Sequence, residues 1–242
     1  MDAVEYEKMA AVEDAMWWYG GLRANLATVA GLDGSRGAVL LDAGCGTGGT
    51  LRVLRDAQPA LTLVGMDFDR GACAVAERKS GCPIAAGSID RLPFASAAFD
   101  VILSADVLCH TSVDQDAALA ELGRCLKPGG RLILNLPAYE WMKSVHDARV
   151  HTARRYTSGG IARLLGRHGF GQIRATYWNT LLFPLMVLRR KLFKGGSSDV
   201  MLYPAPIERL FRAVVGLETR ALGAGWTLPF GGSVLVRATK HA

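Results

Sequence analysis

Short apolar runs alternate with helical patterns along the first part of this chain, and turn-forming residues separate them. The apolar runs predict strands at residues 39–41, 61–66, 84–86, 99–104 and 131–136. The intervening patterns predict helices at residues 49–57, 70–80 and 115–125, and Lys127-Pro128-Gly129-Gly130 predicts a turn. Strands that alternate with helices in this order indicate βαβ units and a parallel sheet.

The two ends of the chain add further elements to this pattern. Thr157 or Ser158 can cap a helix that runs to His168, and Gly169 suits the position just after it. The remaining predicted elements are a helix over residues 4–29, strands at 173–178 and 233–238, and helices near 181–193 and 207–222, with a linker at 195–198. The last two helices lie in an insertion at residues 179–232.

Composition is ordinary for a globular protein and favours one domain over residues 1–242. Of the 242 residues, 50% are hydrophobic and 21% are charged, and the net charge is +6. Within this domain we expect residues 1–30 to form an N-terminal helical lid. The basic balance is compatible with anionic substrates, nucleic acid or an acidic membrane surface, and is specific for none of them.

The cysteines and the apolar segments indicate a cytoplasmic protein. The five cysteines are an odd number and form no C-x-x-C pair, which argues against a disulfide framework or a structural zinc site. No metal site is expected. The acidic N-terminus lacks a secretory signal pattern, and no apolar run approaches the roughly 20 residues that span a bilayer.

The run Asp42-Ala43-Gly44-Cys45-Gly46-Thr47-Gly48 lies at a predicted strand-to-helix turn. Glycines there allow tight backbone conformations and close approach to a ligand, beyond the carboxyl ends of the strands. Gly44, Gly46 and Gly49 also satisfy the dinucleotide fingerprint G-x-G-x-x-G. Asp42 would repel a pyrophosphate but would suit a cationic amino acid. A glycine-rich turn without a ligand is the remaining alternative.

Two further acidic positions follow later strands. Asp67 ends the second predicted strand and can accept hydrogen bonds from ribose hydroxyls, a need that a nicotinamide dinucleotide shares. Asp90 follows the third strand within Ser88–Phe94, where it could accept from an adenine amino group. Ile89 and Leu92 would then form apolar walls beside the base.

These stretches together resemble the class I S-adenosylmethionine-dependent methyltransferases. The matching segments, within residues 39–137, are VLLDAGCGTGGTL, LVGMDFD, GSIDRLPF, FDVILSADVLCH and LKPGGRLILNLP. The resemblance implies a Rossmann-like three-layer α/β sandwich, whose seven-stranded, mostly parallel sheet has a reversed final hairpin. It implies S-adenosyl-L-methionine as the cofactor, with Asp42 and the glycines at its methionine end, Asp67 at the ribose and Asp90 at the adenine.

The expected cofactor-binding residues extend this set to neighbours of the same strand ends. The full set is Arg23, Asp42, Gly44, Cys45, Gly46, Gly48, Asp67, Phe68, Ser88, Ile89, Asp90 and Ala105. Arg23 could pair with the methionine carboxylate, and a surface arginine is the equal alternative.

Two further segments, VEDAMWWYGGLR and AYEWMKSVHDARVHTARRYT, resemble a bacterial subgroup of these enzymes. The subgroup is associated with small-molecule and glycolipid-like settings, and its acceptors are poorly defined.

Candidate groups for the methyl acceptor cluster after the fourth and fifth strands. His110, His146, Asp147 and His151 are the candidates for moving a proton, because neutral histidine can accept one near neutral pH. Asp147 and His151 could pair on a helix. The candidates for substrate contact are Trp17, Tyr19, Tyr139, Arg155, Tyr156 and Trp178. The alternative is that these residues are solvated loop positions, helix caps or core packing.

The apolar segment in residues 180–191 ends in Arg189-Arg190-Lys191. It could lie at a membrane interface, line a pocket for an apolar acceptor, or pack on the core or a second subunit. We expect a monomer or a homodimer. The shape of the cavity near the cofactor's methyl group would distinguish between acceptor classes, since a long apolar cavity would indicate a lipid-like acceptor.

The sequence favours methyl transfer to the oxygen or nitrogen of a small molecule, with an apolar or natural-product-like compound as one option. Nucleic acid is the less favoured acceptor, because Ser104-Ala105-Asp106-Val107 stands where an N-P-P-Y-like motif would follow strand four. A non-catalytic protein that only binds S-adenosylmethionine is the third reading.

Overall fold

The computed structural model describes residues 10–32, 36–192 and 202–241, without the side chains of His146, Lys191 and Leu192. Its helices are α1 (Trp17–Ala30), α2 (Gly49–Ala57), α3 (Arg70–Ser80), α4 (Gln115–Cys125), α5 (Val145–Arg149), α6 (Ser158–Arg167), α7 (Phe183–Leu192) and α8 (Ala205–Gly223). Its strands are β1 (Val39–Ala43), β2 (Thr62–Asp67), β3 (Ile84–Ala86), β4 (Phe99–Ala105), β5 (Leu126–Pro137), β6 (Phe170–Trp178) and β7 (Ser233–Lys240). A short 3₁₀ turn occupies Glu140–Met142.

The strands form one sheet of seven in the order β3-β2-β1-β4-β5-β7-β6. The pairs from β3 to β5 are parallel, whereas β7 runs antiparallel to both β5 and β6. Successive strand residues point to opposite faces, so Leu40 packs in one apolar cluster and Leu41 in another. The expected Rossmann-like α/β architecture with a reversed final hairpin is confirmed.

The N-terminal helix differs from the prediction. The expected helix over residues 4–29 is interrupted by a turn at residues 13–15, and α1 begins only at Trp17; residues 4–9 lie outside the described part. The break is stabilised from far along the chain, because the backbone N–H of Trp17 donates to the Glu208 carboxylate at 2.7 Å. A cap supplied from that distance leaves no local signal in the sequence.

The predicted turn at Lys127–Gly130 is also wrong. These residues belong to β5, which continues through them with an irregular register against β4 between Phe99 and Val101. Gly129 has φ +74°, a conformation that glycine adopts readily. The glycine signal therefore marks a bulge within a strand, where the sequence alone had indicated a connection.

Helices α7 and α8 lie side by side in the insertion. The backbone N–H of Leu181 donates to the carboxylate of Glu218 at 2.8 Å, and Arg189 donates to the Tyr203 hydroxyl at 2.6 Å. These bonds join opposite ends of the two helices, so the helices are antiparallel. The predicted linker at 195–198 lies outside the described residues.

Helix α8 packs along α1 and so closes the insertion against the N-terminal helix. In the part of the chain that the structure describes, none of the helices has the length and apolar character needed to cross a membrane.

Candidate active site

A cavity of about 600 Å³ opens at the carboxyl ends of β1, β2 and β4. The glycine loop forms one wall, and its backbone geometry depends on the absence of side chains. Gly44 has φ +93°, and a Cβ atom there would approach Cγ2 of Val107 to 2.1 Å. Gly46 has φ +54° and lines the cavity with open space around it. The loop can therefore hold a ligand directly against its backbone.

Asp67 supports this loop from the end of β2. Its side chain is 6% exposed and lines the cavity. The carboxylate accepts a hydrogen bond from the Gly46 N–H at 2.8 Å and another from the Asp69 N–H at 3.0 Å. Phe68, which is 82% exposed, stands at the cavity rim beside it. The position suits recognition of ribose hydroxyls, as the sequence indicated.

Asp42 and Gly48 do not line the cavity, contrary to expectation. Asp42 is 4% exposed and lies behind the loop. Burial, together with the negative charge of Asp67, raises the pKa of Asp42 to about 7, while Arg23 opposes the rise. Gly48 precedes α2 with φ +82°, and a Cβ there would meet the backbone of Ala76 at 2.8 Å. Both residues shape the loop from behind.

The segment after β3 presents different residues from those expected. Ser88 and Ile89 line the cavity, but Asp90 does not. The Asp90 carboxylate accepts from the Asp114 N–H at 3.3 Å, which draws it toward the start of α4. Its other oxygen is buried and has no partner among the described residues. The adenine contact expected for Asp90 stays a prediction.

Arg23 lines the cavity beside the loop, but its guanidinium already has a carboxylate partner. It donates to Glu13 at 3.0 Å, and Glu13 also receives hydrogen bonds from Lys79 and from the Thr47 hydroxyl. Glu13 lines the cavity too, and the sequence analysis missed it. Glu13 lies near the loop because the chain turns at residues 13–15, and no local sequence pattern predicts that turn.

Asp106 is the second group that the sequence analysis missed. It follows β4, lines the cavity and has φ +56°, which is uncommon for a residue other than glycine. Its carboxylate accepts from Nδ2 of Asn135 at 3.0 and 3.2 Å. Asn135 in turn accepts from Nε1 of Trp178 at 2.7 Å. This chain of hydrogen bonds holds the half-buried carboxylate of Asp106 in one orientation at the cavity wall.

Burial changes the protonation of two groups on this wall. It raises the pKa of Asp106 to about 7, although the Asn135 hydrogen bond and the charge of Arg155 favour the carboxylate. It lowers the pKa of His110 below its usual value, so His110 is neutral at pH 7. His110 and His151 both line the cavity. His146 lies in α5, and its side chain is outside the described set.

Asp147 and Arg155 form a buried ion pair in the same wall. The Arg155 guanidinium donates to the two carboxylate oxygens at 2.8 and 3.0 Å, and the side chains are 6% and 5% exposed. Asp147 also accepts from the backbone and hydroxyl of Ser144. The expected pairing of Asp147 with His151 is wrong, because α5 ends at Arg149 and His151 follows in a turn with φ +57°.

We expect Asp147→Ala to destabilise the protein by about 3–5 kcal/mol, since removing one partner of a buried pair leaves an uncompensated charge. Chemical denaturation would measure the loss. The matched control is Asp56→Ala, which breaks the exposed pair with Arg55 and is expected to change stability by less than about 1 kcal/mol. Equal losses in the two variants would contradict the structural role of the Asp147–Arg155 pair.

Three aromatic residues predicted to contact substrate do not line the cavity. Tyr139 stacks on Tyr177 with ring centroids 5.2 Å apart, and burial raises its pKa to about 12. The Tyr156 hydroxyl donates to the Leu108 carbonyl, and Trp178 is fully buried. All three pack beneath the wall, where Trp178 positions Asn135.

The aromatic run at the start of α1 does reach the cavity. Trp17, Trp18 and Tyr19 all line it. Trp17 contacts Phe211 of α8 edge-on, whereas Trp18 lies against Trp178. The two rings therefore share one apolar cluster because partners from different elements meet them.

In the cavity wall, a buried polar atom of Trp17 and one of Asn179 have no hydrogen-bond partner within the described part of the chain. They are Nε1 of Trp17, a donor, and Oδ1 of Asn179, an acceptor. Leaving such a group unsatisfied costs about 1–3 kcal/mol. Both atoms have almost no accessible surface, so a ligand in the cavity would reach them only after the side chains moved.

The insertion forms the outer wall of the cavity. Leu182, Leu185 and Met186 of the α7 region line it together with Tyr203 and Phe211. The same part of the wall also carries the polar side chains of Asn179, Arg189 and Arg190. Cys45, Cys109 and Ala105 extend it toward the loop. All five cysteines are buried and free, and no cluster suited to a metal ion occurs among the described residues.

Comparison with known proteins agrees with this geometry. Residues 41–134 match the model of a methyltransferase domain family. A putative methyltransferase of Encephalitozoon cuniculi is 34% identical over 117 residues, covering 48% of this chain and 50% of that protein. A ubiquinone/menaquinone biosynthesis C-methyltransferase of Geobacter sulfurreducens is 33% identical over 108 residues, covering 41% and 42%.

A solved structure extends the likeness to the whole fold. A methyltransferase of Thermotoga maritima, described as a possible histamine N-methyltransferase, has a TM-score of 0.60 and 20% identity, covering 98% of this chain and 95% of that one. Residues 41–134 of this chain therefore match a methyltransferase domain, and the whole chain has the fold of the Thermotoga protein. The chain spans half or less of the length of the first curated relatives it matches.

Proposed function

We propose that the protein transfers the methyl group of S-adenosylmethionine to an oxygen or nitrogen atom of a small molecule with an apolar body. The supporting observation is that one cavity joins the glycine loop to the apolar wall of the insertion. Donor and acceptor must share one enclosed space, because transfer needs the reacting atoms aligned and about 3 Å apart. The relatives' names include carbon and transfer-RNA methyltransferases, so the acceptor class is argued from this cavity alone.

The loop end of the cavity fits the cofactor. In this proposal Asp67 holds the ribose hydroxyls, Ser88 and Ile89 hold the adenine, and Arg23 meets the methionine carboxylate in place of Glu13. When bound, S-adenosylmethionine supplies a methyl group that its sulfonium already activates. The open space at Gly46 and the carboxylate of Asp67 beside it suit the sugar and the amino-acid chain.

The opposite end binds and orients the acceptor. The apolar side chains of Leu182, Met186 and Phe211 cover its body. Asp106 takes the proton that the acceptor oxygen or nitrogen releases. A carboxylate with a pKa near 7 is suited to that role at neutral pH.

A pair of matched phenols tests the acceptor class. Transfer of a radiolabelled methyl group is measured to 4-heptylphenol and to phenol, which share a hydroxyl and differ only in the apolar tail. We expect kcat/KM to be at least about 10-fold higher for 4-heptylphenol, because buried methylene groups contribute about 0.8 kcal/mol each. A parallel pair, octylamine and propylamine, covers a nitrogen acceptor. Preference for both short compounds would overturn the proposal.

The variant Met186→Glu tests whether the preference for the long acceptor depends on the apolar side chains of the insertion. A carboxylate in the apolar lining is expected to lower kcat/KM for the long acceptor by about 100-fold and to leave cofactor affinity unchanged. Leu188→Glu, at a position that is 54% exposed on the same helix, is the control and should change neither value. Equal effects of the two variants would place the acceptor elsewhere.

A further inference from the structure

We propose that the outer surface of the insertion docks on an anionic phospholipid bilayer. We call this surface the insertion face and define it by three residue groups. It comprises Leu181, Leu185 and Leu188 of the α7 region, Ile207, Leu210 and Leu217 of α8, and Arg209, Arg212 and Arg220 of α8. Docking is measured without methyl transfer, so this proposal can be tested independently of the proposed function.

Helix α8 presents an unusual outer side. Every exposed residue of this helix is an arginine, a large apolar residue, or one of Ala, Gly and Pro. Leu210 is 59% exposed and Leu217 58%. The helix has two acids, Glu208 and Glu218, and both point inward at 7% and 3% exposed. Both acidic side chains are therefore buried, and the exposed side of α8 carries positive charge and apolar side chains without negative charge.

Helix α7 continues the same surface. Leu181, Leu185 and Leu188 recur at spacings of four and three residues and are each more than half exposed, so they form one stripe. The bond between Leu181 and Glu218 places this stripe beside the end of α8 that bears Leu217. Arg189 and Arg190 follow the stripe but line the cavity, where they donate to the Tyr203 hydroxyl and the Met142 carbonyl, so they are not part of the insertion face. The described part of the insertion exposes no acidic side chain on either helix.

Charge and apolar content together point to lipid. Exposed leucines gain free energy in the boundary between headgroups and acyl chains, and arginines gain it from anionic headgroups. A second copy of this chain would bring the same positive face and would be repelled. Nucleic acid would satisfy the arginines but would leave the leucines in water. An anionic bilayer alone satisfies both classes of side chain.

The insertion face is continuous with the cavity. Leu185 is 52% exposed on the outer stripe and also lines the cavity. One helix therefore separates the docking surface from the apolar wall. Docking there would bring the cavity to the layer in which apolar molecules dissolve.

Co-sedimentation of the full chain with lipid vesicles tests the proposal. We expect binding to vesicles of phosphatidylcholine with about one third phosphatidylglycerol, and much weaker binding to phosphatidylcholine alone. The variant Arg209→Gln/Arg212→Gln/Arg220→Gln should bind the anionic vesicles about 100-fold more weakly. The matched control Arg70→Gln/Arg78→Gln/Arg167→Gln, on exposed arginines of α3 and α6, should bind as the unaltered protein does. Added salt should also weaken binding.

Apolar substitutions separate this proposal from simple electrostatics. Leu181→Ser/Leu188→Ser/Leu210→Ser/Leu217→Ser should abolish sedimentation, and the single variant Leu210→Asp should weaken it at least about 10-fold if the quadruple variant fails to fold. Unaltered binding by both leucine variants would overturn the proposal. So would equal binding to neutral vesicles, tighter binding to a DNA duplex that displaces the vesicles, or a stable dimer that the leucine substitutions dissociate and that ignores vesicles.

Discussion

Asp67→Ala is expected to weaken S-adenosylmethionine binding by about 100-fold or more. The Asp67 carboxylate lines the cavity and receives the N–H groups of Gly46 and Asp69. Each hydrogen bond to a charged group contributes about 1.5–3 kcal/mol, so losing the loop contact and the ribose contact together lowers the affinity by about two orders of magnitude or more. Alanine also leaves the Gly46 N–H without its acceptor.

Titration calorimetry measures this loss of affinity directly. The control is Asp69→Ala, because Asp69 is two residues away, exposed, and caps α3 by accepting from the Ala72 N–H at 2.7 Å. That variant should lose about 1 kcal/mol of stability and keep its affinity within about twofold. If Asp67→Ala bound the cofactor as tightly as the unaltered protein, the proposed cofactor site would be wrong.

The sequence was informative where the chemistry is local. The glycine loop, Asp67 and Ser88 each follow a strand within a few residues, and parallel strands bring their carboxyl ends to one edge. The helices α2, α3 and α4 were predicted with the bounds that the structure has, because their apolar spacing and flanking turns lie within one element. These parts of the loop end of the cavity could be predicted from the local sequence, whereas Glu13 beside Arg23 could not.

The acceptor half depends on contacts between distant segments. Glu13 reaches Thr47 and Lys79 only because the chain turns before α1, and that turn is fixed by Glu208. Tyr139 and Tyr156 were expected to contact the substrate. Instead, the Tyr139 ring stacks on Tyr177, and the Tyr156 hydroxyl donates to the Leu108 carbonyl. No pattern of residue types distinguishes a tyrosine that packs from one that binds.

Asp106 shows the same limit in a stronger form. Its spacing from the strand does not reveal its positive φ, its burial, or the partnership with Asn135 and Trp178. A carboxylate after a strand is usually solvated and ionised. Here Asp106 follows β4, and Asn135 of β5 and Trp178 of β6 hold its carboxylate half-buried in the cavity wall. The raised pKa of Asp106 therefore depends on residues of several strands. The sequence analysis proposed histidines as proton acceptors instead, because their ordinary pKa lies near neutral pH.

Asp106→Asn is expected to lower kcat by about 100- to 10,000-fold, the range over which a positioned proton acceptor contributes. The amide is nearly isosteric and can still accept from Asn135, so the fold and cofactor affinity should be retained. The measurement is methyl transfer to the acceptor preferred in the phenol and amine comparison, with calorimetry as the check on cofactor binding. Unchanged kcat would exclude Asp106 as the group that takes the proton.

The pH dependence distinguishes Asp106 from His110. Because burial raises the pKa of Asp106 from 3.8 to about 7, its carboxylate form is lost as the pH falls through 7. Turnover should then fall about tenfold per pH unit below that value and level off above it. Burial lowers the pKa of His110 beneath its ordinary 6.5, so a histidine acceptor would place the inflection below 6.5. His110→Gln should therefore keep the inflection near 7, and Asp106→Asn should remove it.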